Sequence, residues 1–174
     1  MASPERPKQV GPERTDTPWR LRVSGLVGRE LVLDVAALQR LGEVEEVTGG
    51  PECPEGFGTS GHTFAGPSLA AFVAAANPLP AATHVCVHSG PFVAAFTLES
   101  LARRGALLAT RRDGEAMSAE TGGPVRLVPA LGACFDSVKW VERITLEADG
   151  SSATARDIVR ARRGPNVRLP AEDI

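Results

Sequence analysis

The stretch GGPVRLVPALGACFDSVKWVERI, Gly122 to Ile144, decides the fold. Two apolar runs with strand character, Val125 to Val128 and Val138 to Leu146, are separated by a loop containing Pro129, Gly132, Cys134 and Asp136. Arg126, Ser137 and Lys139 interrupt or border these runs, so polar groups are carried on segments that otherwise read as core.

Upstream, the same kind of alternation recurs. Trp19 to Val23 alternates apolar with basic residues, and Gly25 to Gly28 turns it into a second run, Glu30 to Leu33, which predicts a hairpin. Asp34 precedes VAALQRLG, where Val35, Leu38 and Leu41 repeat at helical spacing and Gly42 supplies a stop; this predicts a short helix with Asp34 as its N-cap. Val44 to Thr48 reads as a strand. The Gly/Pro-dense segment from Gly49 to Pro67 reads as one long irregular loop and is the first place to look for a site. Ser68 caps a helix, LAAFVAAAN, that ends at Pro78 and Pro80. His84 to His88 is a strand, Ser89 to Pro91 a turn into FVAAFTL, Leu98 to Arg104 one or two helical turns, and Ala106 to Arg111 a further strand.

These elements predict a single domain of strands and helices over residues 19–149. Residues 1–18, rich in proline and charge, read as a flexible arm; residues 150–174 form an Arg-rich tail with no dependable apolar face. At 174 residues the chain suits one core rather than two. Its composition, 43% apolar and 23% charged, is that of a soluble globule, and the net charge of -2 argues against duplex binding, which needs a basic face. The longest apolar stretch, Leu69 to Ala76, falls short of the roughly 20 residues a membrane helix needs. No secretory leader is readable at the N-terminus, so a cytoplasmic location is expected. Cys53, Cys86 and Cys134 lack zinc-like spacing and read as free thiols.

Several local patterns in order resemble the molybdopterin-binding domain of the sulfite oxidase family: LRVSGLVG with LVLDVAAL, CPEGF followed by FAGPSLAAFV, LLATRRDGEAM with GGPVRLV, and SVKWVERITL. The resemblance implies a mixed-sheet α+β fold of the sulfite oxidase type and a molybdopterin cofactor carrying molybdenum. It implies that Cys53 is the catalytic metal ligand, for which a soft thiolate is suited. Arg126 resembles the family's arginine beside the cofactor pocket, while Ser137 and Lys139 match the stretch that meets the pterin phosphate. Guanidinium, hydroxyl and ammonium groups are natural partners for a phosphate dianion. Gly122 and Gly123 would let the backbone approach the cofactor closely. The bland alternatives stay open: Cys53 as an unliganded loop thiol, and Arg126 and Lys139 as structural residues with packed stems and paired heads.

The chain also departs from the family. It contains no tyrosine, and Phe92 stands where the family places a hydroxyl facing the metal-bound oxygens. The family's N-terminal Arg/Asn/His segment has no counterpart before Trp19, and Asp136 stands where a basic residue is expected, opposing an anionic substrate. The leading expectation is a molybdopterin-dependent oxidoreductase acting on a small oxyanion or oxide. The alternative is a cofactor-free domain of the same fold that binds a small ligand or protein partner, its pocket filled by Phe57, Phe64 and Phe92.

Other constellations are weaker. His84, Cys86 and His88 share one strand face, but the outer pair lie roughly 13 Å apart at about 3.3 Å per residue, so a core or inter-strand role is favoured over metal binding. Ser60 and His62 share the loop with Cys53, yet no third group to orient a Cys/His pair is identifiable. Arg103, Arg104, Arg111 and Arg112 read as a solvated face, and nucleic-acid binding is not expected.

Overall fold

The computed structural model describes residues 18–50, 59 and 61–163. Cys53, Phe57 and Ser60 lie outside them. Among the described residues the strands form three sheets. The largest has five strands in the order β2-β1-β11-β5-β6: β1 (Leu21–Gly25), β2 (Leu31–Leu33), β5 (His84–Ser89), β6 (Phe92–Thr97) and β11 (Arg143–Glu147). Its first and last strands, β1 and β11, pair parallel, and the other neighbours are antiparallel. Period-two alternation in each strand sends Leu21, Val23, Val85, Val87, Ile144 and Leu146 to one face, where they form the main core.

Helices α1 (Val35–Gln39), α2 (Leu69–Ala75) and α3 (Leu98–Arg104) begin where the sequence supplies a side-chain acceptor. Asp34 accepts from the Ala37 N–H at 2.8 Å, Ser68 from Ala71 at 3.2 Å and Thr97 from Ser100 at 3.1 Å. Each cap satisfies a backbone donor the helix itself leaves unpaired, a contribution of about 1 kcal/mol. Leu38, Leu69 and Phe72 then enter the main core from α1 and α2.

A four-stranded sheet, β3-β4-β8-β9, comprises β3 (Val44–Thr48), β4 (Thr63–Pro67), β8 (Arg111–Arg112) and β9 (Glu115–Ala116). Here the reading of Gly49 to Pro67 as one irregular loop fails: its last five residues are a strand paired with β3 and β8. Gly66 in this strand permits close packing, because a Cβ there would overlap the carbonyl oxygen of Leu108. Gly66→Ala is expected to cost about 1–3 kcal/mol through backbone displacement, seen as a lower urea midpoint with an unchanged m-value.

The expected strand from Ala106 to Arg111 is broken at Thr110 into β7 (Leu107–Ala109) and β8, so it serves two sheets. β7 pairs with β10 (Arg126–Val128), Val128 opposite Leu107 and Arg126 opposite Ala109. Along β10, Leu127 joins the main core, while Val128 joins a second cluster with Phe64, Ala109 and Met117.

The chain beyond Asp149 is also more ordered than its composition suggests. Thr154 extends the edge of β6, donating its N–H to Val93 O and accepting the Val93 N–H on Oγ1, both at 3.0 Å. Helix α4 (Ala155–Arg163) follows, with Ala155 buried and the Arg156 guanidinium 5.4 Å from the Phe135 ring centroid. Its anchoring is polar at the strand edge, and no sequence periodicity reports that.

The face of the large sheet opposite the core carries His84, Cys86, His88, Thr145 and Glu147. The Arg143 Nη2 donates to His88 Nδ1 at 3.1 Å, so His88 carries its proton on Nε2 and donates to Thr145 Oγ1 at 2.8 Å. Thr145 donates onward to Glu147 Oε1 at 2.6 Å, and Ser152 donates to Oε2 at 2.8 Å. Among the described residues no group of three His, Cys, Asp or Glu side chains is arranged to hold a metal. Burial pushes the Cys86 thiol up to about 11, with Ser152 opposing and Glu147 reinforcing the shift. Cys86 should therefore escape alkylation by iodoacetamide at pH 8 in the folded protein and react only on unfolding, as peptide mapping would show.

Candidate functional site

The two segments that open and close the Gly122–Ile144 stretch lie side by side. Leu127 and Val138 form an antiparallel bridge; Trp140 N–H donates to Gly122 O at 2.8 Å and Val141 N–H to Val125 O at 3.0 Å. This pairing brings Gly122, Gly123, Arg126, Ser137 and Lys139 into one neighbourhood.

Arg126 is 4% exposed. Its Nε donates to Ser137 Oγ at 3.0 Å, and that hydroxyl donates in turn to Leu127 O at 2.9 Å, so Ser137 braces the guanidinium against its own strand. Nη1 reaches Thr121 O at 3.5 Å, and the guanidinium carbon sits 5.5 Å from the Phe64 ring centroid. Burial first, and the neighbouring Arg112 second, lower the Arg126 pKa to about 10, which leaves it cationic at neutral pH.

The two glycines also have a use within the chain itself. The space beside Gly122, at φ +95°, is filled by the Lys139 stem, whose Cγ would lie 2.7 Å from an added Cβ; at Gly123 a Cβ would overlap Met117 O. Both permit the chain to pack on itself. Lys139 Nζ ends 5.7 Å from the Trp140 ring centroid. Asp136 accepts the Ala133 N–H at 2.9 Å, which closes the turn over residues 134–136 and ties the carboxylate to that turn.

Opposite Arg126 stands a group that sequence reading dispersed. Phe64 and Arg112 are direct cross-strand partners and so share a face of the smaller sheet. Arg112 is therefore a half-buried member of the site, contrary to its reading as part of a solvated face, whereas Arg103 and Arg111 are exposed as expected. His62 lies edge-on to Phe64 at 6.5 Å. Its Nδ1 is 2.8 Å from Asp113 Oδ2, and Arg112 Nη2 contacts the same imidazole. Asp113 is thus the orienting group that sequence could not find for His62. Its carboxyl is held below the usual range by the Thr63 N–H first and His62 second. Phe92 packs against the main core, while Phe64 lies in the second cluster beneath Arg126.

Two buried polar atoms here have no hydrogen-bond partner: Thr59 Oγ1 and Arg112 Nε. Arg112 Nε does lie 3.5 Å from Asp113 Oδ2, an ion-pair contact without hydrogen-bond geometry. Thr59 lies against Gly50 and His62, while Arg112 Nε belongs to the guanidinium beside that imidazole; buried donors left open next to a guanidinium form a setting suited to an anion.

Comparison with known proteins agrees with this architecture. The family model described as "Oxidoreductase molybdopterin binding domain" matches residues 8–155. The protein-methionine-sulfoxide reductase catalytic subunit MsrP of Gluconobacter oxydans (strain 621H) is 30% identical in an alignment 147 residues long that covers 74% of this chain and 47% of that protein. The sulfane dehydrogenase SoxCD of Paracoccus pantotrophus superposes with a TM-score of 0.70 at 24% identity, covering 83% of this chain and 42% of that one, and shows the fold. The chain spans less than half the length of either. With the model covering most of the sequence, the chain belongs to the oxidoreductase molybdopterin binding domain family.

Proposed function

We propose that this chain binds molybdopterin carrying molybdenum and serves as a sulfite oxidase-type oxidoreductase domain acting on a small oxyanion or oxide. The observation that carries the reading is the buried Arg126, braced by Ser137 over the Phe64 ring, with Arg112, the cross-strand neighbour of Phe64, close enough to lower its pKa and carrying a buried Nε without a hydrogen bond. A pterin phosphate or a metal-bound anion suits that donor set: fixed cations and open hydrogen-bond capacity where water is largely excluded. When bound, the cofactor supplies two-electron redox chemistry and oxygen-atom exchange.

The chain's own residues hold and orient. Cys53 is the proposed thiolate ligand, on sequence grounds alone. Arg126 contributes a planar fork whose direction Ser137 fixes, Lys139 a flexible cation, and Arg112 a second guanidinium. Ser137 acts mainly through Arg126, since its hydroxyl hydrogen is already committed to Leu127 O. An oxide of the sulfoxide kind, which the name of the Gluconobacter relative carries, is the substrate class this polarity favours. Neither nucleic acid nor membrane is part of this reading, and among the described residues no helix is long and apolar enough to cross a bilayer.

Metal analysis of protein made in a host that synthesises the cofactor tests the proposal. Near-stoichiometric molybdenum, lost in Cys53→Ser, is expected. Less than about a tenth of an equivalent in the wild type would overturn it in favour of a cofactor-free ligand-binding domain.

A further inference from the structure

Ser137 fixes the direction of the Arg126 guanidinium, so whatever fixes Ser137 bears on the site. On its C-terminal side the residue is held by the bridge between Leu127 and Val138, whose N–H groups meet the opposite carbonyls at 2.8 and 3.1 Å. On its N-terminal side it leaves the 3₁₀ turn Cys134–Asp136, and its own N–H reaches Cys134 O at 3.3 Å. A turn of this length has poor hydrogen-bond geometry and little stability of its own. Two bonds between Ala133 and Asp136 close it, at 2.9 and 3.0 Å, and the buried Phe135 is its apolar anchor.

That anchor is shared with α4. The turn packs against both α4 and β6, and the Arg156 guanidinium lies 5.4 Å from the Phe135 ring centroid, within cation–π reach. Helix α4 is fastened at its start: Thr154 makes two bonds with Val93 at the β6 edge, its hydroxyl donates to Pro91 O at 2.5 Å, and its carbonyl receives the Ile158 N–H at 3.0 Å. Ala155 enters the main core, whereas Arg160, Ala161 and Arg162 are exposed. A helix this short does not hold without tertiary contacts. Its order depends on the β6 edge and on the turn it covers, and the route from α4 to Arg126 runs through Arg156, Phe135 and Ser137.

We infer that α4 is a clasp for the site: Arg156 and Phe135 are positioning residues that hold the 134–136 turn, and through it the Ser137 hydroxyl, so that the Arg126 fork keeps its direction. The inference rests on the anion-holding role proposed for Arg126. Loosening the clasp leaves the charge in place but frees the fork to turn. The loss falls on the Arg126 Nε–H bond and on anion affinity, while the core behind β10 is untouched.

The test uses the full chain made without cofactor, with inorganic phosphate as the probe against chloride at equal ionic strength. Hydrogen exchange of the Arg126 Nε–H is followed in 15N spectra, its signal assigned by its loss in Arg126→Met. In Phe135→Ala and in Arg156→Ala that group should exchange at least about tenfold faster, as a local opening made easier would. Phosphate should bind both variants about fivefold more weakly, the low end of coupling between separate sites. Arg156→Lys keeps a cation over the ring and should hold both quantities within about twofold of wild type. In a Ser137→Ala background the same two substitutions should lower phosphate affinity no further, because the relay is already cut. Arg160→Ala, at the exposed end of α4, should change neither quantity; an effect there as large as in Arg156→Ala would make the cause bulk charge and overturn the inference. Unchanged Nε–H exchange and phosphate affinity in Arg156→Ala, with only the urea midpoint lowered, would make the contact structural and overturn it as well, even where Phe135→Ala does not fold. A wild type that binds no phosphate fails the anion role of Arg126, whereas the Nε–H exchange rates then decide the clasp by themselves.

Discussion

Replacing Arg126 by methionine should reduce molybdenum retention at least tenfold while leaving the folded domain largely intact. The two effects separate because the guanidinium is an expensive element of the fold. It is 4% exposed, and burial together with Arg112 lowers its pKa to about 10, so the folded structure works against its charge. Removing the guanidinium relieves its desolvation cost, which offsets the loss of its hydrogen bonds to Ser137 and Thr121. Methionine is flexible enough to cover Phe64, and Ser137 keeps its bond to Leu127 O. The unfolding free energy from urea titration should therefore change by no more than about 1.5 kcal/mol. A bound anion, in contrast, loses at least one charge-assisted hydrogen bond worth about 1.5–3 kcal/mol, or about tenfold or more in affinity. Arg126→Lys should fall between, because it preserves charge but loses the fork that Ser137 orients. Unfolding of Arg126→Met with metal content preserved per folded molecule would reverse the assignment and make Arg126 a structural ion.

The elements legible in the sequence were those whose cause is local. Asp34 and Ser68 cap helices because their oxygens meet N–H groups three residues on, and β1 and β5 follow from period-two alternation. Where pairing with distant strands decides the outcome, local reading loses the signal. Thr63 to Pro67 looked like loop because of its glycine and proline, yet Gly66 is there to let Leu108 approach, a requirement set by a strand more than 40 residues later. Arg112 looked like surface because its neighbours are charged. Its partial burial comes from the register that places it opposite Phe64. The orienting role of Asp113 depends on the same register, which returns the β8–β9 turn to the start of β4. For Ser137 and Lys139 the sequence supplies no contacts; the pairing of residues 137–141 against 122–128 sets them, Ser137 on Arg126 and the Lys139 stem against Gly122.

The second large effect is expected away from this site, in the dependence of stability on pH. His88 is 4% exposed, and burial first and Arg143 second hold its pKa below the ordinary value of 6.5. The unfolded chain takes up that proton near pH 6.5, whereas the folded protein resists it, so stability falls as the pH drops through 6.5 and continues to fall until the folded imidazole titrates. Each unit of separation is worth about 1.4 kcal/mol. Glu147 acts at lower pH. Burial raises its pKa, but hydrogen bonds from Thr145, Ser152 and Cys86, with the nearby His88, outweigh burial and hold the carboxyl below its usual range. Its contribution is present above the unfolded value near 4.5 and is lost as the pH falls through the folded one. His88→Gln should therefore flatten the stability profile between pH 7 and 5 while leaving the steeper loss below pH 4.5 in place. Glutamine can still donate towards Thr145 and accept from Arg143, so the network survives without a titrating member. Thr145→Val, which cuts the link between His88 and Glu147, should cost about 1–3 kcal/mol at pH 7 by stranding buried donors and acceptors. Urea midpoints measured at half-unit steps from pH 7.5 to 4 would show both effects, and a profile for His88→Gln parallel to the wild type would rule out His88 as the source of the slope.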